Sequence, residues 1–153
     1  MRSKAVRIRR AVAGDLDALV ELENSVFDYD RMSARQLRHH LHNPAAEVIV
    51  ATRAGALIGS AVLFLRKGSR VARLYSIAVA RGARGQGHGE TLLKEAERAA
   101  RHRGAPVLRL EVKADNTGAQ HLYERLGYRR FGIRHAYYND GHDAIRYEKR
   151  LRL

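Results

Sequence analysis

The 153-residue sequence contains no cysteine and no tryptophan, and it has only two prolines. Without cysteine the protein has no disulfide framework, no thiolate metal ligand and no cysteine nucleophile or acyl carrier. The sequence also lacks the run of about 18 apolar residues that a transmembrane helix needs. Its first residues, MRSKAVRIRRAV, alternate apolar with basic residues and contain no hydrophobic signal region. These absences predict a cytoplasmic protein that does not insert into a membrane.

Acidic residues are outnumbered by basic ones. The chain has 16 Asp and Glu and 29 Lys and Arg, which gives a net charge of +13. A basic chain suits a polyanionic cofactor, a nucleic acid or an acidic partner. The same charge also fits an arginine-rich, solvated surface, since the arginines are scattered from Arg2 to Arg152. The aromatic residues, 7% of the chain, do not interleave with them as a stacking platform for bases requires. A dedicated nucleic-acid-binding module is therefore not indicated.

Length and periodicity predict a single domain over residues 1–153 with one hydrophobic core. Alternating and helical patterns follow one another in the order βα, α, βββ, α, β, α, ββ. This order predicts a mixed α/β (α+β) sheet with an antiparallel N-terminal meander, a central right-handed βαβ crossover and a C-terminal hairpin. Ser33 is expected to cap the second helix. The last hairpin is expected to pair YRRFGIRHAYY with DAIRYEKRLRL across an Asp-Gly turn. Monomer and dimer are both compatible with these features.

Three glycines, Gly85, Gly87 and Gly89, precede a helix that is predicted to run from Gly87 to Arg103. Alternate glycines remove side chains, so successive backbone N–H groups can point outward together. The N-terminus of the helix adds unpaired N–H donors and the positive end of its dipole. The loop therefore predicts a binding site for a phosphate or pyrophosphate group.

Three kinds of phosphate-binding loop have glycines in front of a helix. A nucleoside-triphosphate loop is excluded, because no Lys-Ser or Lys-Thr follows the glycines. A dinucleotide fingerprint fits Gly85 and Gly87, with Glu111 near the position of a ribose-binding acid. Against this alternative, Glu90 occupies the third glycine position and only one βαβ unit is predicted. The third alternative is coenzyme A.

The segment RGQGHG, residues 84–89, resembles the R-x-x-G-x-G/A loop of the GNAT acetyltransferase superfamily. The preceding LYSIAV resembles the strand with which this family holds the pantetheine arm of coenzyme A, and LEVKADNTGAQHLYERLGYRR is similar to its second motif. The C-terminal IRHAYYNDGHDAIRYEKRL resembles the end of the ribosomal-protein N-alpha-acetyltransferases, the group to which the likeness is closest. The resemblance covers residues 72–153 and implies a GNAT fold with acetyl-CoA as co-substrate and no metal.

The resemblance also implies roles for individual residues. Pairing of the backbone with the pantetheine amides is implied for Ile77, Ala78 and Val79. Contact with the pyrophosphate is implied for Arg84, Gly85, Gln86, Gly87, His88, Gly89 and Glu90. Of these, Glu90 would repel a phosphate unless its carboxylate points away. Asn116 is implied to hold the cofactor arm, Glu111 to be the general base and Tyr123 the general acid.

Acetyl transfer from a thioester to an amine needs an unprotonated amine, a polarised carbonyl and a proton for the departing thiolate. Glu111 ends a predicted central strand, where α/β sheets bind ligands, so it is well placed to take the proton of the amine. The alternative is a structural carboxylate that is ion-paired with Arg109 or Lys113. A backbone N–H in residues 77–79 is the implied partner of the carbonyl oxygen.

Tyr123 suits the role of acid, because a phenol with an ordinary pKa of about 10 is protonated at neutral pH. The alternative is a core aromatic residue that packs at helical spacing with Leu122 and Leu126. Tyr137 and Tyr138 are expected to alternate on a strand, and Tyr138 is predicted to border the slot for the acceptor substrate.

The three histidines in HHLH, His39, His40 and His42, spread over different faces of a helix and have no carboxylate at matching spacing. A solvated helix face explains them better than a metal site does.

The sequence thus predicts an acetyl-CoA-dependent N-acetyltransferase whose acceptor is the N-terminal α-amine of a protein or peptide, a ribosomal protein being one candidate. A small amine such as a polyamine, an aminoglycoside or an amino acid is the second alternative. The acidic residues that would bind it belong to one segment: Glu21, Glu23, Asp28 and Asp30. The third alternative is a module that binds coenzyme A or RNA without turnover.

Overall fold

The computed structural model describes residues 5–27 and 31–152. Its strands are β1 (Val6–Arg10), β2 (Ala46–Arg53), β3 (Ala56–Phe64), β4 (Val71–Val79), β5 (Val107–Lys113), β6 (Arg129–Arg134) and β7 (Ala144–Arg150). Its helices are α1 (Leu16–Val26), α2 (Ala34–His42), α3 (His88–His102) and α4 (Thr117–Arg125). This element order confirms the prediction from the sequence.

Local sequence signals set several of these boundaries. Ser33 caps α2 as predicted, because its Oγ accepts a hydrogen bond from the Gln36 N–H at 3.1 Å while the Ser33 N–H donates to Gln36 Oε1 at 2.8 Å. The chain leaves α3 through Gly104, which has a φ of +81°. β6 is shorter than predicted, ending at Arg134 rather than at Tyr138. Ala136, with a φ of 50°, departs from the extended conformation beyond that point.

The seven strands form one sheet in the order β1-β2-β3-β4-β5-β7-β6. β4 and β5 are parallel, and every other neighbouring pair is antiparallel. The meander, the β4-α3-β5 crossover and the β6-β7 hairpin are therefore all present as predicted. The hairpin places β7, rather than β6, against β5, so the last strand lies inside the sheet and β6 forms its edge.

Helices cover the sheet on both faces. The buried face of α3, which includes Leu92, Leu93 and Ala96, packs on one side of the sheet. On the other side, Leu19 of α1 and Leu37 of α2 belong to a second apolar cluster formed with β2 and β3. Each fully buried leucine contributes about 1.5–3 kcal/mol relative to an exposed one. No helix within the described residues is long and apolar enough to cross a membrane.

The parallel strands β4 and β5 pair over only four residues each. Their register runs from Val71 opposite Val107 to Leu74 opposite Leu110 and then stops. At this point the β3-β4 register shifts, and Tyr75 is the extra residue on β4. A bulge of this kind bends a strand and increases its twist. Residues 76–79 consequently pair with β3 alone and residues 111–113 with β7 alone, which leaves a cleft between the two strands.

Candidate active site

A cleft of about 560 Å³ lies where β4 and β5 separate. Five residues predicted from the sequence line it: Ile77, Glu111, Asn116, Tyr123 and Tyr138. The tertiary fold thus brings together side chains from two strands, from the N-cap and the last turn of α4 and from the β6-β7 loop, residues 135–143. Ala78, Val79 and residues 84–90 lie outside this lining, at the end of β4 and around the start of α3.

The end of β4 presents an open backbone edge. Ile77, Ala78 and Val79 pair with β3 on one side, while β5 has already diverged on the other. In a strand with one partner, the backbone N–H and C=O groups on its other edge have no ladder bonds. An extended ligand with amide groups can pair with such an edge. The strand therefore has the feature that the predicted pantetheine contact requires.

The glycine loop opens the N-terminus of α3. Gly85 and Gly87 have φ values of 76° and 83°, in the left-handed region that favours glycine. Gly87 is the N-cap residue, and its carbonyl accepts the Thr91 N–H at 3.1 Å. Within the described residues, no backbone carbonyl accepts the N–H groups of residues 85–87. Together with the first turn of α3, the loop supplies N–H donors of the kind that bind phosphate.

The side chains of the loop are held by neighbouring elements. Arg53 Nη2, on β2, donates to Gln86 Oε1 at 2.7 Å and lies 3.0 Å from His88 Nε2. Arg84 Nε donates to the Val79 carbonyl at 3.3 Å. These contacts fix the loop against the ends of β2 and β4.

Glu90 is ion-paired, so its carboxylate repels an anion bound at this loop less than an unpaired carboxylate would. Its Oε1 accepts a hydrogen bond from Arg125 Nη1 at 3.0 Å, and its Oε2 lies 3.5 Å from Lys94 Nζ. The Arg125 bond, with help from the Lys94 charge, lowers the pKa of this carboxyl. The negative charge is therefore matched by two cations of α3 and α4.

Glu111 is in an ion pair, with a partner that the sequence did not suggest. Arg73 Nη2, on β4, donates to Glu111 Oε1 at 2.6 Å, and only 7% of the Glu111 side chain is exposed. The same Nη2 donates to Tyr137 Oη at 2.8 Å. Burial lowers the pKa of Arg73, but the Glu111 charge and Tyr137 more than offset this, and the net shift is upward.

The two expected partners of Glu111 bond elsewhere. Arg109 Nε donates to Glu148 at 2.9 Å, and Lys113 Nζ is ion-paired with Asp140. The sequence missed Arg73 because 38 residues separate it from Glu111, and only the parallel pairing of β4 with β5 brings them together.

Tyr123 is both a cleft residue and a core aromatic residue. Its half-buried ring lines the cleft and also packs at the edge of the core, 5.8 Å from the Tyr128 ring and 6.4 Å from the Tyr147 ring, centroid to centroid. Burial raises the pKa of Tyr123 to about 12. The phenol therefore keeps its proton at neutral pH, as a general acid must.

Asn116 is both a cap and a cleft residue. Its Oδ1 accepts the Ala119 N–H at 3.1 Å and so caps α4. Because the side-chain oxygen serves the helix, the amide NH₂ is the group with which Asn116 can donate to a ligand.

The paired tyrosines lie in the β6-β7 loop and not on a strand, which corrects the prediction that they alternate on one. Both line the cleft, with ring centroids 5.0 Å apart and planes at 86°. A turn holds them, since the Gly141 N–H donates to the Tyr138 carbonyl at 2.9 Å. The Ala136 N–H donates to Asp143 Oδ1 at 2.8 Å, which replaces a ladder bond. Tyr137 is thus a cleft residue that the sequence pattern missed.

Glu23, from the acidic segment, lines the cleft. It is 4% exposed, and its Oε1 accepts the Met32 N–H at 3.0 Å. Burial raises its pKa, although the bond from Met32 opposes the shift. Glu21 is exposed, and Asp28 and Asp30 lie outside the described residues.

The histidines of α2 do not form a metal site in the structure. The His40 ring packs 4.9 Å from the Phe64 ring. Across residues 5–27 and 31–152, no group of three or more His, Asp or Glu side chains is placed to hold a metal ion.

Comparison with known proteins identifies the family. The profile of the acetyltransferase (GNAT) family matches residues 16–128. A Bacillus subtilis protein whose name assigns it as a ribosomal protein bS18-alanine N-acetyltransferase is 34% identical over 146 residues, which are 95% of each chain. The N-alpha-acetyltransferase RimI of Mycobacterium tuberculosis is 30% identical over 93% of this chain and 90% of its own.

The solved structures agree with the sequence comparison. The ribosomal-protein-S18-alanine N-acetyltransferase of Escherichia coli superposes with a TM-score of 0.88 at 28% identity, over 97% of this chain and 96% of its own. The chain therefore belongs to the GNAT acetyltransferase family and is an N-acetyltransferase.

Proposed function

We propose that the protein transfers the acetyl group of acetyl-CoA to the N-terminal α-amine of a protein, and that it works as a single domain. The observation that carries this proposal is the cleft between β4 and β5, which joins an open strand edge to a cluster of Glu111, Asn116 and Tyr123. The relatives named for the N-terminal alanine of a ribosomal protein support the same acceptor class. Such a substrate is made in the cytoplasm, which agrees with the predicted location.

The residues present fit coenzyme A. The glycine loop offers N–H donors to the pyrophosphate, and a Cβ added at Gly85 or Gly87 would meet nothing within 4 Å, so the space above the loop is open. The open edge of residues 77–79 suits the pantetheine amides. Asn116 would donate from its amide to the cofactor arm.

The reaction forms a nitrogen–carbon bond and breaks the carbon–sulfur bond of the thioester, while the amine loses one proton and the sulfur gains one. Glu111 accepts the proton of the amine, directly or through water. Tyr123 donates a proton to the sulfur, and its raised pKa keeps that proton available. A backbone N–H of residues 77–79 polarises the carbonyl.

The chemistry of the acceptor favours an α-amine over a lysine side chain. A peptide α-amine has a pKa of about 8 and lysine one of about 10.4, so at neutral pH the unprotonated fraction differs by about 10²-fold. Tyr137 and Tyr138 border the cleft from the β6-β7 loop and would contact the first residues of the peptide.

A small amine is the second candidate, and Glu23 is the observation that favours it. A buried carboxylate in the cleft attracts a cationic substrate. Asp28 and Asp30, the other acidic residues weighed for this role, lie outside the described residues.

The test measures release of free thiol from acetyl-CoA with three acceptors. The first is a lysine-free peptide that begins with alanine, the second is an N-blocked peptide with one lysine, and the third is spermidine. Turnover of the first alone supports the proposal. Turnover of spermidine alone would replace it with the small-amine function, and no turnover with any acceptor would contradict both.

A further inference from the structure

We infer that Arg73 is a positioning residue that neutralises Glu111 and ties it to the acceptor loop, so that the acceptor amine binds without its extra proton. This inference rests on the proposed function, because it concerns the amine that enters the same cleft. Arg73 Nη2 donates to Glu111 Oε1 at 2.6 Å and to Tyr137 Oη at 2.8 Å. One guanidinium nitrogen thus joins the proposed base to the loop that borders the acceptor.

The charge of Glu111 explains why a partner is needed. A largely buried carboxylate without a cation would attract the acceptor as an ammonium ion and would stabilise the protonated form, which cannot attack a thioester. Bonded to Arg73, Glu111 and its partner have no net charge. The amine then loses its proton more easily on entering the cleft, and Glu111 still offers a carboxylate to orient the N–H.

Other charged groups around the pair have partners of their own. Lys113, two residues further along β5, is ion-paired with Asp140. Arg146, opposite Glu111 on β7, lies with its guanidinium carbon 4.7 Å from the Phe131 ring centroid. Arg73 is bonded directly to the Glu111 carboxylate at 2.6 Å.

The remaining titratable groups approach from the other walls. Glu23 of α1, whose pKa burial raises, and Arg31, which donates to the Phe27 carbonyl, line the side of the cleft formed by α1 and α2. Tyr123 reaches the cleft from α4, and Tyr138 lies beside Tyr137. Tyr75, two residues after Arg73 along the chain, has its ring centroid 5.6 Å from the Arg73 guanidinium carbon.

Arg109 is a matched control for Arg73, because it forms a similar ion pair outside the cleft. Arg109 is the register partner of Arg73 across the parallel ladder, and it too is bonded to a carboxylate, that of Glu148 at 2.9 Å. Neither Arg109 nor Glu148 lines the cleft. Replacing Arg109 therefore removes a similar ion pair from the same sheet and leaves every residue that lines the cleft in place.

The experiment counts protons that are released when the peptide binds. Calorimetry in two buffers of different ionisation enthalpy gives this number for the protein saturated with coenzyme A, which cannot react, and a lysine-free peptide beginning with alanine. At pH 7 we expect release approaching one proton per peptide for the unchanged protein. Arg73→Met is expected to release close to none, while Arg73→Lys and Arg109→Met are expected to release as many as the unchanged protein.

Kinetics provide a second readout. In Arg73→Met, the acid limb of the profile of kcat/KM against pH is expected to move upward by about one pH unit, with coenzyme A affinity unchanged. Arg73→Lys is expected to restore the profile. Thermal melting of each variant shows that it is folded.

The inference is overturned if Arg73→Met releases the same number of protons as the unchanged protein, or if Arg109→Met loses the release equally. Failure of the proposed function has a different signature. In that case the unchanged protein binds the peptide and releases the proton but never consumes acetyl-CoA.

Discussion

Glu111 on β5 and Arg73 on β4 form a hydrogen-bonded ion pair at 2.6 Å across the last residue pair of the parallel ladder. The pair stands at the point where the two strands separate, so it marks the inner end of the cleft. This position gives the proposed base a fixed direction. It also makes the base dependent on a residue of the strand that is expected to hold the cofactor.

Replacing Glu111 with Gln should lower kcat/KM by about 10²–10⁴-fold, because an amide cannot take the proton of the amine. Coenzyme A affinity, measured by calorimetry, should change little, since Glu111 is not among the residues expected to bind it. Glu148→Gln is the matched control, as it breaks the neighbouring ion pair with Arg109 outside the cleft. Equal rates for Glu111→Gln and the unchanged protein would remove Glu111 from the mechanism.

Tyr123→Phe should lower kcat by about 10²-fold and leave the KM of the acceptor nearly unchanged, because the hydroxyl acts on the leaving sulfur. The pKa of Tyr123 is raised to about 12, so the hydroxyl stays almost fully protonated up to about pH 10. The rate of the unchanged protein should therefore show no alkaline loss due to this group up to about pH 10.

The pH–rate profiles of the unchanged protein and of Tyr123→Phe check both statements about Tyr123. A loss of rate near pH 9 that is present only when Tyr123 is present would contradict the assignment. Tyr128→Phe, which removes a hydroxyl from the adjacent ring, serves as the control for activity.

Tyr128→Phe should instead lower stability. The Tyr128 hydroxyl donates to Glu97 Oε2 at 2.8 Å in a buried site where Lys149 Nζ also lies 3.1 Å from the carboxylate. Removing the donor leaves the buried Glu97 carboxylate with one hydrogen bond fewer. This loss should lower the free energy of unfolding by about 1–3 kcal/mol, seen as a lower Tm. Retention of the full Tm would show that the bond contributes nothing.

The same bond predicts a pH dependence of stability. Burial, followed by the Glu97 charge and hydrogen bond, raises the pKa of Tyr128 above its ordinary value of about 10. A group with a raised pKa in the folded state contributes stability that is complete below the unfolded value and is lost as the pH rises above it. The free energy of unfolding should therefore fall more steeply above about pH 10 in the unchanged protein than in Tyr128→Phe.

Gly87→Ala should weaken coenzyme A binding. Gly87 has a φ of 83° at the N-cap of α3, and a non-glycine residue there costs about 1–2 kcal/mol. If the loop changes conformation to relieve that strain, its N–H donors no longer converge, and the Kd should rise about tenfold. Calorimetric titration with coenzyme A provides the measurement.

Gly68→Ala is the control for this prediction. Gly68 has a φ of 80° in the turn between β3 and β4, and an added Cβ would likewise meet nothing within 4 Å. The two variants should therefore melt at similarly lowered temperatures, while only Gly87→Ala loses affinity. Equal coenzyme A affinity in both variants would show that the loop geometry does not matter for binding.

Much of the fold follows from local patterns. The alternation in VLRLEVK, the helical spacing of Leu92, Leu93 and Ala96, and the Ser33 cap are each decided by residues within a few positions. The glycine loop is local too, because its backbone conformation and the helix after it are set by adjacent residues. These are the features that the sequence predicted correctly.

The predictions that changed involve contacts between distant segments. Tyr137 and Tyr138 have aromatic side chains that favour strands, but the positive φ of Ala136 and its bond to Asp143 turn them into a loop. The sequence suggests neighbours at positions i ± 2 as ion-pair partners of Glu111, whereas strand pairing brings in Arg73 from 38 residues away. Glu90 is similarly bonded to Arg125, which lies 35 residues further along the chain.

Local sequence patterns account for the order of strands and helices and for the loop that is suited to a phosphate, since hydrophobic period, caps and glycine positions act over short distances. The separation of β4 from β5 after Leu74 and Leu110 depends instead on how the whole sheet packs. The bonds of Arg73 to both Glu111 and Tyr137 across the opening depend on the same packing. Side-chain partners across a sheet depend on register and twist, which the packing of all seven strands and their helices fixes together.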